Sequence, residues 1–205
     1  LVMFVLSIIA GRFLGPIEYG KYNLVLAISN IVIIFIFFGL DATSVKYIAG
    51  ANNREEKNQH ISNSLITITA TNIFFLSILL ITSPFLQKIL HVDRNIILFA
   101  ALFSLLASFK SILDSIIKAL KDFQFQATLK IIESFVIIST FLFLMFLLRL
   151  SPSFKIYVLS MPAGALIIII SYLYRVKDRL VSWNFNIFKQ MIPYLKLSIP
   201  LSILG

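Results

Sequence analysis

The chain has 205 residues, 59% hydrophobic and 13% charged, with a formal net charge of +9 and a mean hydropathy of +0.96. Its charged fraction is about half that of an ordinary soluble domain, and its apolar runs approach the roughly 20 residues that cross a hydrocarbon core, which excludes a soluble globular domain. The basic excess sits beside those runs, where membrane topology explains it without nucleic acid. The lack of cysteine excludes disulfides and thiolate ligands.

The pattern predicts an all-α fold, a polytopic transmembrane helix bundle with about six spans plus the start of a seventh. In chain order, residues 1–14 read as the tail of a truncated first helix, with no basic leader of a signal peptide. Gly15-Pro16-Ile17-Glu18-Tyr19-Gly20 reads as a tight turn. Further spans are expected over 22–48, 65–86, 96–120, 127–148 and 156–174. Residues 1–174 thus make one six-helix bundle, 175–196 a cytoplasmic linker, and 197–205 the start of a truncated seventh helix. Within the linker, 186–194 reads as an interfacial helix capped by Asn186, with Trp183 as an aromatic anchor.

Lys and Arg fall mainly in the loops after spans two, four and six: Lys46, Arg54 and Lys57; Lys118, Lys121 and Lys130; and Arg175, Lys177, Arg179, Lys189 and Lys196. Positive loops stay in the cytoplasm, so the chain is expected in the cell (cytoplasmic) membrane with its N-terminus cytoplasmic and the Gly15-Pro16 turn outside.

Span four carries the most distinctive pattern. At about 100° per residue, Ser104, Ser108, Ser111 and Ser115 fall within roughly 60° of one another, with Lys110, Asp114 and Lys118 on the flank. Leu102, Leu105, Leu106, Phe109, Ile112, Leu113, Ile116 and Ile117 occupy the other face. The helix is therefore expected to meet lipid on one side and a wet or charged surface on the other, because intramembrane charge persists against protein or a water-filled cavity. Asp114 and Glu133 are expected at one depth, each about 9 Å from the nearer end of its span. Such a cluster can bind a counter-ion, carry a proton or touch an anionic headgroup. Alternatively, Lys118 and Lys130 snorkel to the interface and the acids only neutralise nearby lysines.

Span two is too long for an untilted crossing, and a break or tilt is expected near Gly39-Leu40-Asp41. Asp41 either lines a cavity or caps a second helical piece. It should not pair with Lys46, about 140° away on an unbroken helix. Thr67, Thr69, Thr71, Asn72 and Ser77 in span three suit helix packing, and Pro162 with Gly164 suggests a kink in span six. His60 and His91 lie in loops on opposite sides and form no local metal pair. No phosphate-cradling Gly-rich loop or nucleophile elbow is present in the sequence, so no enzyme, cofactor or metal is implied.

From Gly11 through Arg12, Gly15-Pro16, Glu18 and Tyr19-Gly20 to Tyr22, the chain resembles the polysaccharide biosynthesis flippases, the O-antigen-type branch of the multidrug/oligosaccharidyl-lipid/polysaccharide exporter superfamily. Gly39-Leu40-Asp41-Ala42, Val45-Lys46-Tyr47-Ile48-Ala49, Ala119-Leu120-Lys121-Asp122-Phe123 and Leu197-Ser198-Ile199-Pro200 extend the resemblance in order. It implies the N-terminal lobe of a two-lobe transporter working by alternating access. The implied cargo is a polyprenyl-diphosphate-linked oligosaccharide, moved from the cytoplasmic to the outer leaflet for cell-surface polysaccharide. Partners would be membrane lipids, that substrate and other membrane proteins of polysaccharide assembly. Arg12, Lys46, Lys110 and Lys118 would then supply cations for the diphosphate, and Ser104, Ser108, Ser111 and Ser115 a sugar-facing wall. A cation-coupled multidrug antiporter of the same superfamily would instead place the emphasis on Asp41, Asp114 and Glu133 for ion or proton coupling. A non-transporting membrane scaffold would need none of these groups.

Overall fold

The computed structural model describes residues 2–147 and 154–180. The interfacial helix near Asn186, Trp183 and the seventh span lie outside these residues. Six α-helices follow in order: α1 (Val2–Phe37), α2 (Leu40–Gly50), α3 (Arg54–Leu90), α4 (Arg94–Ala119), α5 (Phe123–Leu142) and α6 (Phe154–Val176). A π-helical turn, Phe143–Leu147, extends α5, and a 3-10 turn, Lys177–Arg179, follows α6. Among the described residues five helices are long and apolar enough to cross a membrane, compared with about six expected. The difference lies at the start, where α1 joins two pieces and the stretch before Leu14 is too short to count as a span.

Expected breaks appear at both motif positions, in altered form. The six-residue turn contracts to Gly15 alone, at φ 71° and ψ 171°, with helix resuming through Pro16. Pro tolerates this place because the first helical position needs no donated N–H. Phe38 and Gly39, at φ 39° and 77°, separate α1 from α2, so span two is broken at the expected place. Asp41 falls in the first turn of α2 and is exposed, a position that favours an acid.

The stretch between the expected spans 22–48 and 65–86 is mostly helix. Asn53 accepts from the Glu56 backbone N–H at 2.7 Å, while Glu56 Oε2 accepts from Asn52 N at 2.8 Å. This reciprocal cap, with Glu55 and Glu56 in the first turn, starts α3 at Arg54. At 1.5 Å per residue α3 is about 55 Å long, well beyond the ~30 Å core, so its polar first turns project past the apolar slab.

The central element is α4, which packs against α1, α2, α3, α5 and α6. Ile112, Leu113, Ile116 and Ile117 are fully buried and join Ile36, Leu40, Ile48, Ile61, Ile68 and Tyr172 in the main core. The expectation that these α4 residues meet lipid is therefore corrected: a helix surrounded by five others buries its apolar face in protein. The exposed apolar area belongs instead to residues such as Ile34, Phe74, Ile81, Ile131, Phe135 and Ile170.

Candidate functional site

The acids and bases of α4 and α5 pair across the helices. Lys110 Nζ lies 2.6 Å from Glu133 Oε1, and Lys130 Nζ lies 3.5 Å from Asp114 Oδ2. Going up α4 the partners come in reversed order on α5, the register of antiparallel neighbours. Lys110 thus pairs across the helices with Glu133 and Asp114 with Lys130, rather than with each other along α4, and Lys118 is exposed. Glu133 is buried, its side chain 8% exposed, whereas the Lys130 side chain is 54% exposed and reaches inward from the surface. Tyr172 on α6, fully buried, donates its hydroxyl to Asp114 Oδ1 and sets its ring edge against Phe125. The cluster therefore spans three helices.

Above the Lys110–Glu133 pair lies a cavity of about 160 Å³ between α1, α4, α5 and α6, walled by Tyr22, Leu26, Phe103, Ala107, Ile137 and Met161. Pro162 and Ala165 close it from α6. The helix continues through Pro162, and Gly164 has a packing role. A Cβ there would meet Ile137 Cγ1 at 2.6 Å and Glu133 Cγ at 3.2 Å. The bare backbone lets α6 approach α5 beside the buried acid.

The serine stripe is placed differently from the expectation. Ser104 and Ser108 are fully buried and Ser115 nearly so, while Ser111 is half-buried. Ser104 donates to Ala100 O at 2.7 Å and lies 3.4 Å from Ser29 O on α1. Ser29 returns the contact, its hydroxyl 3.1 Å from Ala100 O. Ser108 donates to Asn72 Oδ1 on α3 at 2.8 Å, and Asn72 Nδ2 donates to Ile68 O. In this conformation Ser104 and Ser108 form a seam rather than an open wall, because small hydroxylated residues let backbones approach and find partners inside the bundle. Of the polar residues expected to pack span three, Asn72 bonds across. Thr67, Thr69 and Thr71 bond to carbonyls of their own helix.

Arg12, Asp41, Lys46 and Lys118 are exposed and stand outside the cluster. Tyr172 and Ser29 were not singled out by the sequence. A tyrosine within the Ile-rich run of span six is a signal of sorts, since a buried phenol needs an acceptor. Glu18, the acid of the Gly15-Pro16 motif, also has a definite task. It accepts from the Phe154 backbone N–H at 3.0 Å and pairs with Lys21 at 2.6 Å. The break in α1 is thereby fastened to the N-terminus of α6, whose orphan N–H groups favour a carboxylate. Among the described residues no group of three or more metal-ligating side chains occurs.

The model of a known family described as polysaccharide biosynthesis protein matches residues 1–205. No curated protein and no solved structure matches at the significance required. With five apolar helices of spanning length and a family match over its full extent, the chain is a multi-pass membrane protein that belongs to the polysaccharide biosynthesis protein family.

Proposed function

We propose that the chain is part of a flippase that moves a polyprenyl-diphosphate-linked oligosaccharide from the cytoplasmic to the outer leaflet by alternating access. The observation that carries this reading is the buried Glu133 carboxylate, paired with the half-buried Lys110 at the floor of a cavity inside an apolar bundle. Burying such charges costs several kcal/mol per ion before pairing offsets it, and intramembrane charges mark substrate or ion paths. A diphosphate needs cations, and Lys110 is placed to exchange Glu133 for a phosphate oxygen. Lys46 and Lys118, exposed on the bundle, would meet the diphosphate first.

Orientation is part of the proposal. Arg54, Lys121, Arg175 and Arg179 gather at one end, and the positive-inside rule assigns that end to the cytoplasm. The test is made in cells carrying Lys110→Gln together with Glu133→Gln, which leaves no buried carboxylate alone. Lipid-linked oligosaccharide should accumulate in the inner leaflet and surface polysaccharide should fall, with the protein present at normal abundance. Normal surface polysaccharide in these cells would refute the proposal.

A further inference from the structure

A second polar concavity, of about 440 Å³, lies at the end of the bundle away from the Gly15 break. Three separate segments build it: Arg54 from the start of α3, Lys121 and Asp122 from the α4–α5 turn, and Arg175, Asp178 and Arg179 from the end of α6 and its 3-10 turn. Arg175 is already committed. Its Nε and Nη2 both donate to Asp122 Oδ2, at 3.0 and 2.8 Å, and its guanidinium stacks over Phe125. Arg54, Lys121 and Arg179 have no carboxylate partner among the described residues. The groove thus offers three uncommitted cations and one uncommitted acid, Asp178, beside the start of α3 and the ends of α4 and α6.

The backbone adds an independent observation. Helix α4 ends in a Schellman arrangement, with Asp122 N bonded to Ile117 O and Lys121 N to Lys118 O. The residue closing such a motif takes the left-handed conformation and is usually Gly. Here it is Lys121, at φ 61°. A lysine in that conformation costs about 1 kcal/mol, and strain of this kind gathers where a side chain has a task.

We propose that this groove binds the phosphate headgroup of an anionic glycerophospholipid of the surrounding leaflet. Arg54, Lys121 and Arg179 hold the phosphodiester, and Asp178 accepts from a headgroup hydroxyl, which favours a glycerol headgroup over a bare phosphate. Free phosphate shares the chemistry of the phosphodiester but lacks acyl chains, which the bilayer beside the groove retains. The proposal rests on the membrane reading alone and stands whether or not the protein is a flippase.

The test uses the full chain in nanodiscs of phosphatidylcholine with increasing phosphatidylglycerol, reading the melting midpoint and the association of labelled phosphatidylglycerol. For the wild type, phosphatidylglycerol should raise the midpoint. Arg54→Gln with Arg179→Gln should weaken labelled-lipid association roughly tenfold or more, as expected for two basic residues at an anionic surface. Lys57→Gln with Lys177→Gln removes equal charge outside the groove and should weaken the association clearly less. Lys121→Gly should melt higher than wild type in pure phosphatidylcholine, because the left-handed strain is relieved, and yet respond less to phosphatidylglycerol. Equal responses in wild type, the groove variant and Lys121→Gly would overturn the proposal, as would equal losses in the groove and control variants. An equal midpoint shift from inorganic phosphate in phosphatidylcholine discs would overturn the lipid assignment.

Discussion

Lys110 on α4 pairs with Glu133 on α5 at 2.6 Å rather than with Asp114 one turn along its own helix. Asp114 in turn takes Lys130 from α5 and the Tyr172 hydroxyl from α6. The charges inside this bundle therefore tie three helices together, and removing one partner of a pair should be felt as lost helix association as well as lost electrostatics.

Lys110→Gln alone leaves the buried Glu133 without its cation and should destabilise by roughly 1.5–3 kcal/mol, the range of a hydrogen bond to a charged group, since the lysine is only half-buried. Adding Glu133→Gln should restore most of that loss. Denaturation of the two single variants and the double variant in detergent checks this. Additive losses would show that the two side chains are not coupled in the folded bundle.

Tyr172→Phe removes the donor to Asp114 while keeping the ring beside Phe125. A hydrogen bond to a charged acceptor contributes roughly 1.5–3 kcal/mol, so the melting midpoint should fall clearly. In an Asp114→Asn background the same change should matter much less.

Gly164→Ala should destabilise by roughly 1–3 kcal/mol through overpacking, since its methyl would meet Ile137 and Glu133. Ile137→Ala in the same chain should return part of the loss. The comparison of midpoints separates packing from a hinge role, which Ile137→Ala would not rescue.

Gly15 and Gly20 offer a contrast without steric crowding, because a Cβ at either meets nothing within 4 Å. At Gly15 the backbone conformation is one that only glycine adopts readily, so Gly15→Ala should cost roughly 1–3 kcal/mol. At Gly20, inside helix, Ala should be neutral or stabilising by up to about 1 kcal/mol. Thermal unfolding of the two variants should order them accordingly.

The fold class, the break near Gly39 and the α4 and α6 boundaries were legible in the sequence, because apolar periodicity and glycine punctuation act locally. The start of α3 was missed for the opposite reason: its first turns are polar and held by capping at Asn53 and Glu56, which a hydropathy window does not register. In the candidate site, the residue types could be read from single helices, but their depth could not: α5 starts at Phe123 rather than at Ala127, so Glu133 stands level with Lys110 and about one turn from Asp114, which meets Lys130. Which lysine meets which acid could not, since that depends on the register of α4 against α5. The facing of Ser104 and Ser108 was likewise beyond reach, as a hydroxyl stripe looks the same whether its partner is water or Asn72.

The orientation of the bundle can be fixed with single cysteines, because the 205 residues contain none of their own. An impermeant maleimide added to intact cells should label His91→Cys, at the exposed end of α3, and spare Asn52→Cys until the membrane is opened. The reverse pattern would invert the assigned topology.

The most direct measurement is translocation of a polyprenyl-diphosphate-linked oligosaccharide across vesicles reconstituted with the purified protein, comparing wild type with Lys110→Gln/Glu133→Gln. Loss of one charge-assisted contact to the diphosphate should slow translocation roughly tenfold or more, with the melting midpoint close to wild type. Translocation at the wild-type rate by that variant would contradict the assignment of the Lys110–Glu133 cavity to the transport path.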